Sequence, residues 1–198
     1  MFDKSKIENN IDDEFIRGYS HVDFTSSTNM YFNFLKYISD FFENEIILDI
    51  GTYAGHSALV LSLNGKNKVE SFDVKNIMTS EEITNISRDF NIKFLEFRAQ
   101  DIPLEKYEKA KIIFLDIIHN GCEEREVFEI ILKSGFNGIL ICDDINFNSE
   151  MESFWNGIIL PKTDKIIDRE SGFGAILFDS KYEKYFPGVT IEKTEKLE

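Results

Sequence analysis

The sequence predicts an α/β fold with a parallel sheet covered by helices on both faces. Three observations point there. Short, β-branched apolar runs alternate with segments of helical period along most of the chain. Several of these runs end in an aspartate or a glycine, the residues that turn a strand out toward a ligand. The chain has 198 residues, 42% of them hydrophobic and 29% charged, which suits one domain with a core that needs neither disulfides nor a structural metal.

In chain order, residues 1–27 are polar and are expected as an N-terminal segment and candidate lid, ahead of a single domain over residues 28–198. Residues 28–42 place Tyr31, Phe32, Phe34, Leu35, Tyr37, Ile38, Phe41 and Phe42 at mostly helical spacing, with residues 25–28 as cap candidates. Residues 45–50, EIILDI, read as a strand buried on both faces, bounded by Asn44 and Gly51. A helix is expected over 54–63, and a second strand over 68–72 that ends at Asp73. The Ser-Glu-Glu start at Ser80 opens a helix over 80–89, and a third strand follows over 92–97. Residues 111–115, KIIFL, form a fourth strand ending at Asp116. Val127, Ile130 and Ile131 mark the inner face of a helix over 123–133. Residues 138–142, GILIC, are a fifth strand ending at Asp143. A short helix over 149–155 and strands over 165–167 and 174–178 complete the chain.

Lysine and arginine total 22 against 36 aspartates and glutamates, a net charge of −14 with no local basic patch. Such a surface repels phosphate backbones and anionic lipid, so a small-molecule partner is expected, with no nucleic acid and no membrane. Cys122 and Cys142 have no zinc-site spacing and cannot build a disulfide framework, which fits reduced, intracellular thiols. The first ten residues lack a signal-peptide core, and the apolar runs are strand-sized, far short of the roughly 20 residues of a membrane helix. A cytoplasmic, soluble protein is expected.

Right-handed crossovers set the carboxyl ends of parallel strands along one edge, where ligands bind in such sheets. The residues there are chemically loaded: 51–55, Asp73, 99–101, 116–119 and 143–146. In Asp49-Ile50-Gly51-Thr52-Tyr53-Ala54-Gly55-His56-Ser57, two glycines four apart allow a tight turn and close backbone approach. The helix that follows offers free N–H groups to a carboxylate or phosphate. The dinucleotide spacing G-x-G-x-x-G and the Walker lysine are both absent. Asp73 can accept hydrogen bonds from both hydroxyls of a ribose. The plainer alternatives are a strand-to-helix turn without a ligand and a solvated strand-end acid.

Residues 49–57 followed by Asp73 resemble motif I and the ribose acid of class I S-adenosylmethionine-dependent methyltransferases. More narrowly, Gly-Thr-Tyr-Ala-Gly-His-Ser resembles the loop of the catechol and caffeoyl-CoA O-methyltransferase group. The resemblance implies a Rossmann-like methyltransferase fold, a mostly parallel seven-stranded sheet with an antiparallel C-terminal strand. Ser171-Gly172-Phe173-Gly174 is similar to the start of that family's final hairpin. It further implies that Gly51, Thr52, Tyr53, Gly55 and Ser57 wrap the methionine end of S-adenosylmethionine, with its carboxylate at Ser57 and its amino group at Asp49. Asp73 would hold the ribose, residues 99–101 with Gln100 and Asp101 would contact the adenine, and Asp116 would also touch the cofactor. His56 is expected as a loop contact; His21 has no assigned role.

Asp116 and the pair Asp143-Asp144 follow neighbouring strands, and three close carboxylates repel one another unless protons or a cation compensate. Hard oxygen ligands suit Mg²⁺. In the resembling enzymes an acid after the fourth strand and an Asp-Asn or Asp-Asp pair after the fifth bind that metal, which holds two vicinal substrate oxygens and acidifies one. The Asp-Asp form looks most like sugar O-methyltransferases acting on macrolides. The alternative is that Asp143 and Asp144 serve as a helix cap and a solvent acid. His119, near pKa 6.5, can take a hydroxyl proton. A lysine stands there in the catechol-type group, a histidine in some sugar enzymes, and others carry an aspartate where this chain has Ile118. Its alternative role is to cap the helix starting near Glu123. Trp155 is either an acceptor-pocket wall or ordinary packing.

The expectation is therefore an O-methyltransferase acting on a hydroxylated small molecule, a sugar or catechol-like diol, with Mg²⁺ assisting, His119 as base and Asp116 beside it. The alternatives are a metal-independent small-molecule methyltransferase and a non-catalytic S-adenosylmethionine-binding protein of the same fold. A nicotinamide oxidoreductase is disfavoured by the glycine spacing. Dimers are common in the resembling group, though nothing in this sequence demands one.

Overall fold

The computed structural model describes residues 29–167 and 169–193. The candidate lid at 1–27, the cap candidates at 25–28 and His21 lie outside the described residues. The chain divides into two compact units, the first ending at Ile102 and the second beginning at Pro103.

The first unit opens with helix α1 (Asn29–Ser39), whose Phe32, Phe34, Leu35 and Ile38 are buried. Strand β1 (Ile46–Ile50), helix α2 (His56–Ser62), strand β2 (Lys68–Asp73), helix α3 (Ser80–Asp89) and strand β3 (Ile92–Glu96) follow in strict alternation. The strand order is β3-β2-β1, both pairs parallel, from Ile46↔Lys68 to Ile50↔Phe72 and from Val69↔Ile92 to Asp73↔Glu96. Burial on both faces explains why β1 is apolar but for Asp49. Helix α3 starts with a capping box: Thr79 Oγ1 accepts from the Glu82 N–H at 3.2 Å, and Glu82 accepts from the Thr79 N–H at 2.7 Å. Fully buried Asn67 donates to the carbonyls of Phe42 (2.9 Å) and Ser39 (3.1 Å), tying the end of α1 to the start of β2.

The second unit holds helix α4 (Leu104–Lys109), strand β4 (Ala110–Leu115), helix α5 (Cys122–Ser134), strand β5 (Ile139–Asp143), helix α6 (Ser149–Asn156), and strands β6 (Lys162–Thr163) and β7 (Phe173–Leu177). The order is β4-β5-β7-β6, with β4 and β5 parallel and β7 antiparallel to both its neighbours. The expected elements of a Rossmann-like methyltransferase fold are thus present, seven strands among the described residues with an antiparallel C-terminal strand.

One reading of the sequence is corrected, and one helix was not foreseen. The strand expected at 165–167 forms instead at Lys162–Thr163, pairing with Ile176 and Ala175. Ile166 and Ile167 are buried from a bend, so their β-branched pattern reflects core filling and not a ladder. Helix α4 is a single short stretch entered at Pro103, too brief for a periodicity to register. Among the described residues no helix is long and apolar enough to cross a membrane.

Trp155 is a packing residue. It is 4% exposed, and a Cβ at Gly174 on β7 would stand 2.3 Å from its ring. Gly174→Ala is expected to cost about 1–3 kcal/mol through overpacking, read as a lower denaturation midpoint in urea; an unchanged midpoint would contradict this packing.

Candidate functional site

In the first unit, β1 runs into the turn at residues 51–55. Gly51 sits at φ 107° and Gly55 at φ 77°, and the residue between them, Tyr53, takes φ 42° despite its side chain. The N–H groups of Gly51 and Thr52 donate to the Phe72 carbonyl at 2.8 and 3.2 Å, and the Gly55 N–H closes the turn onto Thr52 O at 2.7 Å. A Cβ on Gly55 would meet Met78 Sδ at 2.7 Å, which the flexible methionine can yield, so it is the left-handed backbone that calls for glycine here.

Asp73, the last residue of β2, reaches back to this turn: its Oδ2 accepts the Tyr53 N–H at 2.8 Å. It is an anchored acid, not a freely solvated one. A carboxylate offers about four acceptor sites. Beyond Tyr53, only a long 3.4 Å contact from the Lys75 N–H engages the Asp73 carboxylate among the described residues, which leaves acceptor capacity for a diol. The start of the turn is held by a buried chain in which Ser71 Oγ donates to Asp49 Oδ2 at 2.5 Å and lies 2.6 Å from Thr52 Oγ1. Asp49 is fully buried and Thr52 2% exposed. Ser57 is buried in the first turn of α2; Gln100 is half-buried and Asp101 exposed on a one-turn 3₁₀ helix, Ala99–Asp101. Around Asp73 the apolar side chains of Tyr53, Val74 and Phe97 are exposed. The Phe97 N–H donates to the Asp73 carbonyl at 2.8 Å, which places that ring position beside the acid's strand end. Burial depresses the pKa of His56, favouring the neutral imidazole at the head of α2.

In the second unit, the residues after β4 and β5 come together as the sequence predicts. His119 Nε2 lies 3.1 Å from Asp116 Oδ1 and 3.5 Å from Asp144 Oδ2. Asp143, 4% exposed, accepts the Asp144 N–H at 2.9 Å and pairs with the Arg169 guanidinium, whose Nη2 is also 3.0 Å from Asp144 Oδ1. The capping alternatives fall away. Asn120 Oδ1 takes the N–H groups of Cys122 and Glu123 (3.0 and 2.9 Å) at the start of α5, and Asn148 takes the Met151 N–H (2.9 Å) at the start of α6.

His119 and Asp144 both occupy the left-handed region, at φ 60° and φ 51°. Such conformations cost roughly 1–3 kcal/mol for a non-glycine residue and persist only where the surroundings over-determine them. At His119 they do: its N–H donates to buried Glu124 Oε1 at 2.7 Å and its carbonyl accepts Asn148 Nδ2 at 2.8 Å. The exposed Phe147 ring lies 5.6 Å from the imidazole, centroid to centroid, and Ile118 is exposed beside it in sequence. Glu124, Asn148 and Arg169 were not among the sequence-predicted site residues. Glu124, in the first turn of α5 and reaching back to a preceding N–H as a capping-box acid does, carried the one local signal.

Burial, reinforced by the charge of Asp116 and less so of Asp144, pushes Asp143 up to about 7 against the pull of Arg169. Burial pulls His119 down, but the Asp116 carboxylate beside it and the charges of Asp144 and Asp143 outweigh it and raise the imidazole above its ordinary 6.5. Both shifts act on stability in one direction. For each group the contribution is complete below the unfolded-state pKa and is lost as pH rises through the higher folded value.

The three acids do not fit a divalent metal as they stand. Among the described residues no group of three or more His, Cys, Asp or Glu side chains is arranged to hold one. Asp143 and Asp144 are bridged by a guanidinium, and Asp116 faces an imidazole. The expectation of Mg²⁺ at Asp116, Asp143 and Asp144 therefore lacks support, and the reason is Arg169, which lies 26 residues beyond Asp143 in a loop.

No family model matches the chain, and no curated protein matches it. Solved structures do. One is a methyltransferase from Podospora anserina bound to S-adenosylhomocysteine, 16% identical, covering 85% of this chain and 86% of its own, with a TM-score of 0.64. Another is the O-methyltransferase TomG of tomaymycin synthesis from Streptomyces achromogenes, in complex with S-adenosylmethionine, at 14% identity, 87% and 93% coverage and a TM-score of 0.62. A third is an rRNA methylase from Streptococcus thermophilus, at 15% identity, 88% and 100% coverage and a TM-score of 0.50. The likeness is one of fold: the chain has the Rossmann-like fold of class I methyltransferases. Because an rRNA methylase shares it, the expected exclusion of nucleic acid rests on the net charge of −14 and not on the fold.

The electrostatics give a direct expectation. In an NMR titration the His119 imidazole should titrate above 6.5, and Asp116→Asn should lower that value by removing its nearest anion; a wild-type value at or below 6.5, or one unmoved in D116N, would contradict the arrangement.

Proposed function

We propose that this chain is an S-adenosylmethionine-dependent O-methyltransferase acting on a hydroxylated small molecule. The observation that carries the reading is Asp73 anchoring the 51–55 turn through the Tyr53 N–H while keeping acceptor capacity for a ribose. The exposed Val74 and Phe97 supply an apolar surface for a base beside that acid. Gly51, Thr52, Tyr53, Gly55 and Ser57 receive the amino-acid end of the cofactor. Asp49 supports them through Ser71 and Thr52, and Gln100 and Asp101 border the adenine.

When bound, the cofactor supplies a methyl group already activated on a sulfonium, so the protein needs no covalent intermediate. What the chain must supply is alignment and a proton acceptor. His119, held by Glu124 and Asn148, is the base that takes the acceptor's hydroxyl proton, and Asp116 at 3.1 Å steadies the resulting imidazolium. The cofactor assignment is supported by a fold shared with structures bound to S-adenosylhomocysteine and S-adenosylmethionine. A small-molecule acceptor is favoured by the net charge. A sugar or catechol-like diol follows from the motif resemblance alone.

Calorimetric titration with S-adenosylhomocysteine tests the reading. Wild-type protein should bind it saturably, and Asp73→Ala should bind it more than about tenfold more weakly, since a charge-assisted hydrogen bond is worth about 1.5–3 kcal/mol. Absence of wild-type binding, or an unchanged affinity in D73A, overturns it.

A further inference from the structure

We propose that Arg169 is the resident cation of the acid cluster, standing where the resembling enzymes place a divalent metal, so that the second unit works without one. The inference rests on the methyltransferase reading for its purpose, not for its physics. Three carboxylates, Asp116, Asp143 and Asp144, face two cationic partners. Arg169 hydrogen-bonds Asp143 through Nη1 and holds Asp144 in an ion pair through Nη2, a cation that a metal would have to displace. His119 meets Asp116 and Asp144 from the other side. The guanidinium sets a permanent positive charge against two of the three carboxylates. A divalent ion entering this set would meet that fixed like charge.

Arg169 is also built in, not draped over the site. Its carbonyl accepts the Gly172 N–H at 3.0 Å, closing a turn, and the next residue of that turn but one, Ser171, accepts the Asn146 N–H at 2.7 Å through its carbonyl. This pins the 169–172 turn against the loop that follows β5. Gly172, at φ 81°, permits the approach: a Cβ there would stand 2.6 Å from Ile145 and 2.7 Å from the Asn146 side chain. Asp144 takes its left-handed backbone at the point where its carboxylate meets both Arg169 and His119. Strain, turn and glycine all serve one charge pairing.

The consequence for the acceptor is specific. A metal recruits two vicinal oxygens by chelation; a guanidinium already committed to two aspartates does not. One hydroxyl presented to His119 suffices, and exposed Phe147 and Ile118 favour an apolar or aromatic scaffold around it.

Mn²⁺ titration followed by electron paramagnetic resonance, with Mn²⁺ as the only ligand, tests this. Wild-type protein should show no saturable binding up to millimolar Mn²⁺. Arg169→Met should gain a site, with affinity raised about tenfold or more by loss of the competing charge, and Arg169→Lys should remain closed. Saturable wild-type binding that disappears in Asp143→Asn overturns the proposal, as does a folded R169M that gains no site. Should R169M fail to fold, the wild-type and R169K titrations decide. S-adenosylhomocysteine binding measured on the same wild-type sample reads the cofactor site independently of Mn²⁺, so a failed cofactor reading and a failed Arg169 assignment give different results.

Discussion

A carboxylate at the end of a buried strand stands where water is scarce, and it must find a donor or a positive partner within a few ångströms or give up its charge. The five acids at or near the ends of strands β1, β2, β4 and β5 each find such a partner. Asp49 takes a serine hydroxyl, Asp73 a backbone N–H from the neighbouring turn, Asp116 an imidazole, and Asp144 an arginine and the same imidazole. Asp143 takes the arginine as well and is pushed toward protonation besides. The turns and bends of both units follow from these pairings. Tyr53, His119 and Asp144 hold left-handed backbones because each is needed at one end of such a contact.

The same constraint separates the roles of the two units. In the first, the acid is bound on one oxygen by the turn it stabilises, so it orders the turn while remaining able to accept from a ligand. In the second, the acids are satisfied by side chains, and what is left exposed to chemistry is a histidine whose proton affinity they raise. The first arrangement suits recognition of a polar nucleoside; the second suits removal of a proton from a hydroxyl.

Much of this was legible in the sequence because it is local. EIILDI is a buried strand by its composition, residues 80–89 form a helix by cap and period, and Asp73, Asp116 and Asp143 fall at strand ends by simple punctuation. What was not legible depends on partners far along the chain. Arg169 sits in an aperiodic loop, and nothing near it announces that its fork meets two acids more than twenty residues earlier. Strand β6 is two residues, Lys162 and Thr163, whose identity as a strand comes wholly from pairing with β7. The left-handed conformations of His119 and Asp144 carry no glycine to mark them, and histidine and aspartate occur far more often elsewhere. Hence the acids were legible and their guanidinium partner was not.

The central claim is that the turn at residues 51–55, closed by Asp73, is a nucleoside site. The most direct measurement is a crystal structure of the protein grown with S-adenosylhomocysteine. The account predicts both ribose hydroxyls on the Asp73 carboxylate, with the homocysteine carboxylate at the first turn of α2 beside Ser57. Density for the ligand with its ribose away from Asp73, or at another place on the chain, would contradict it.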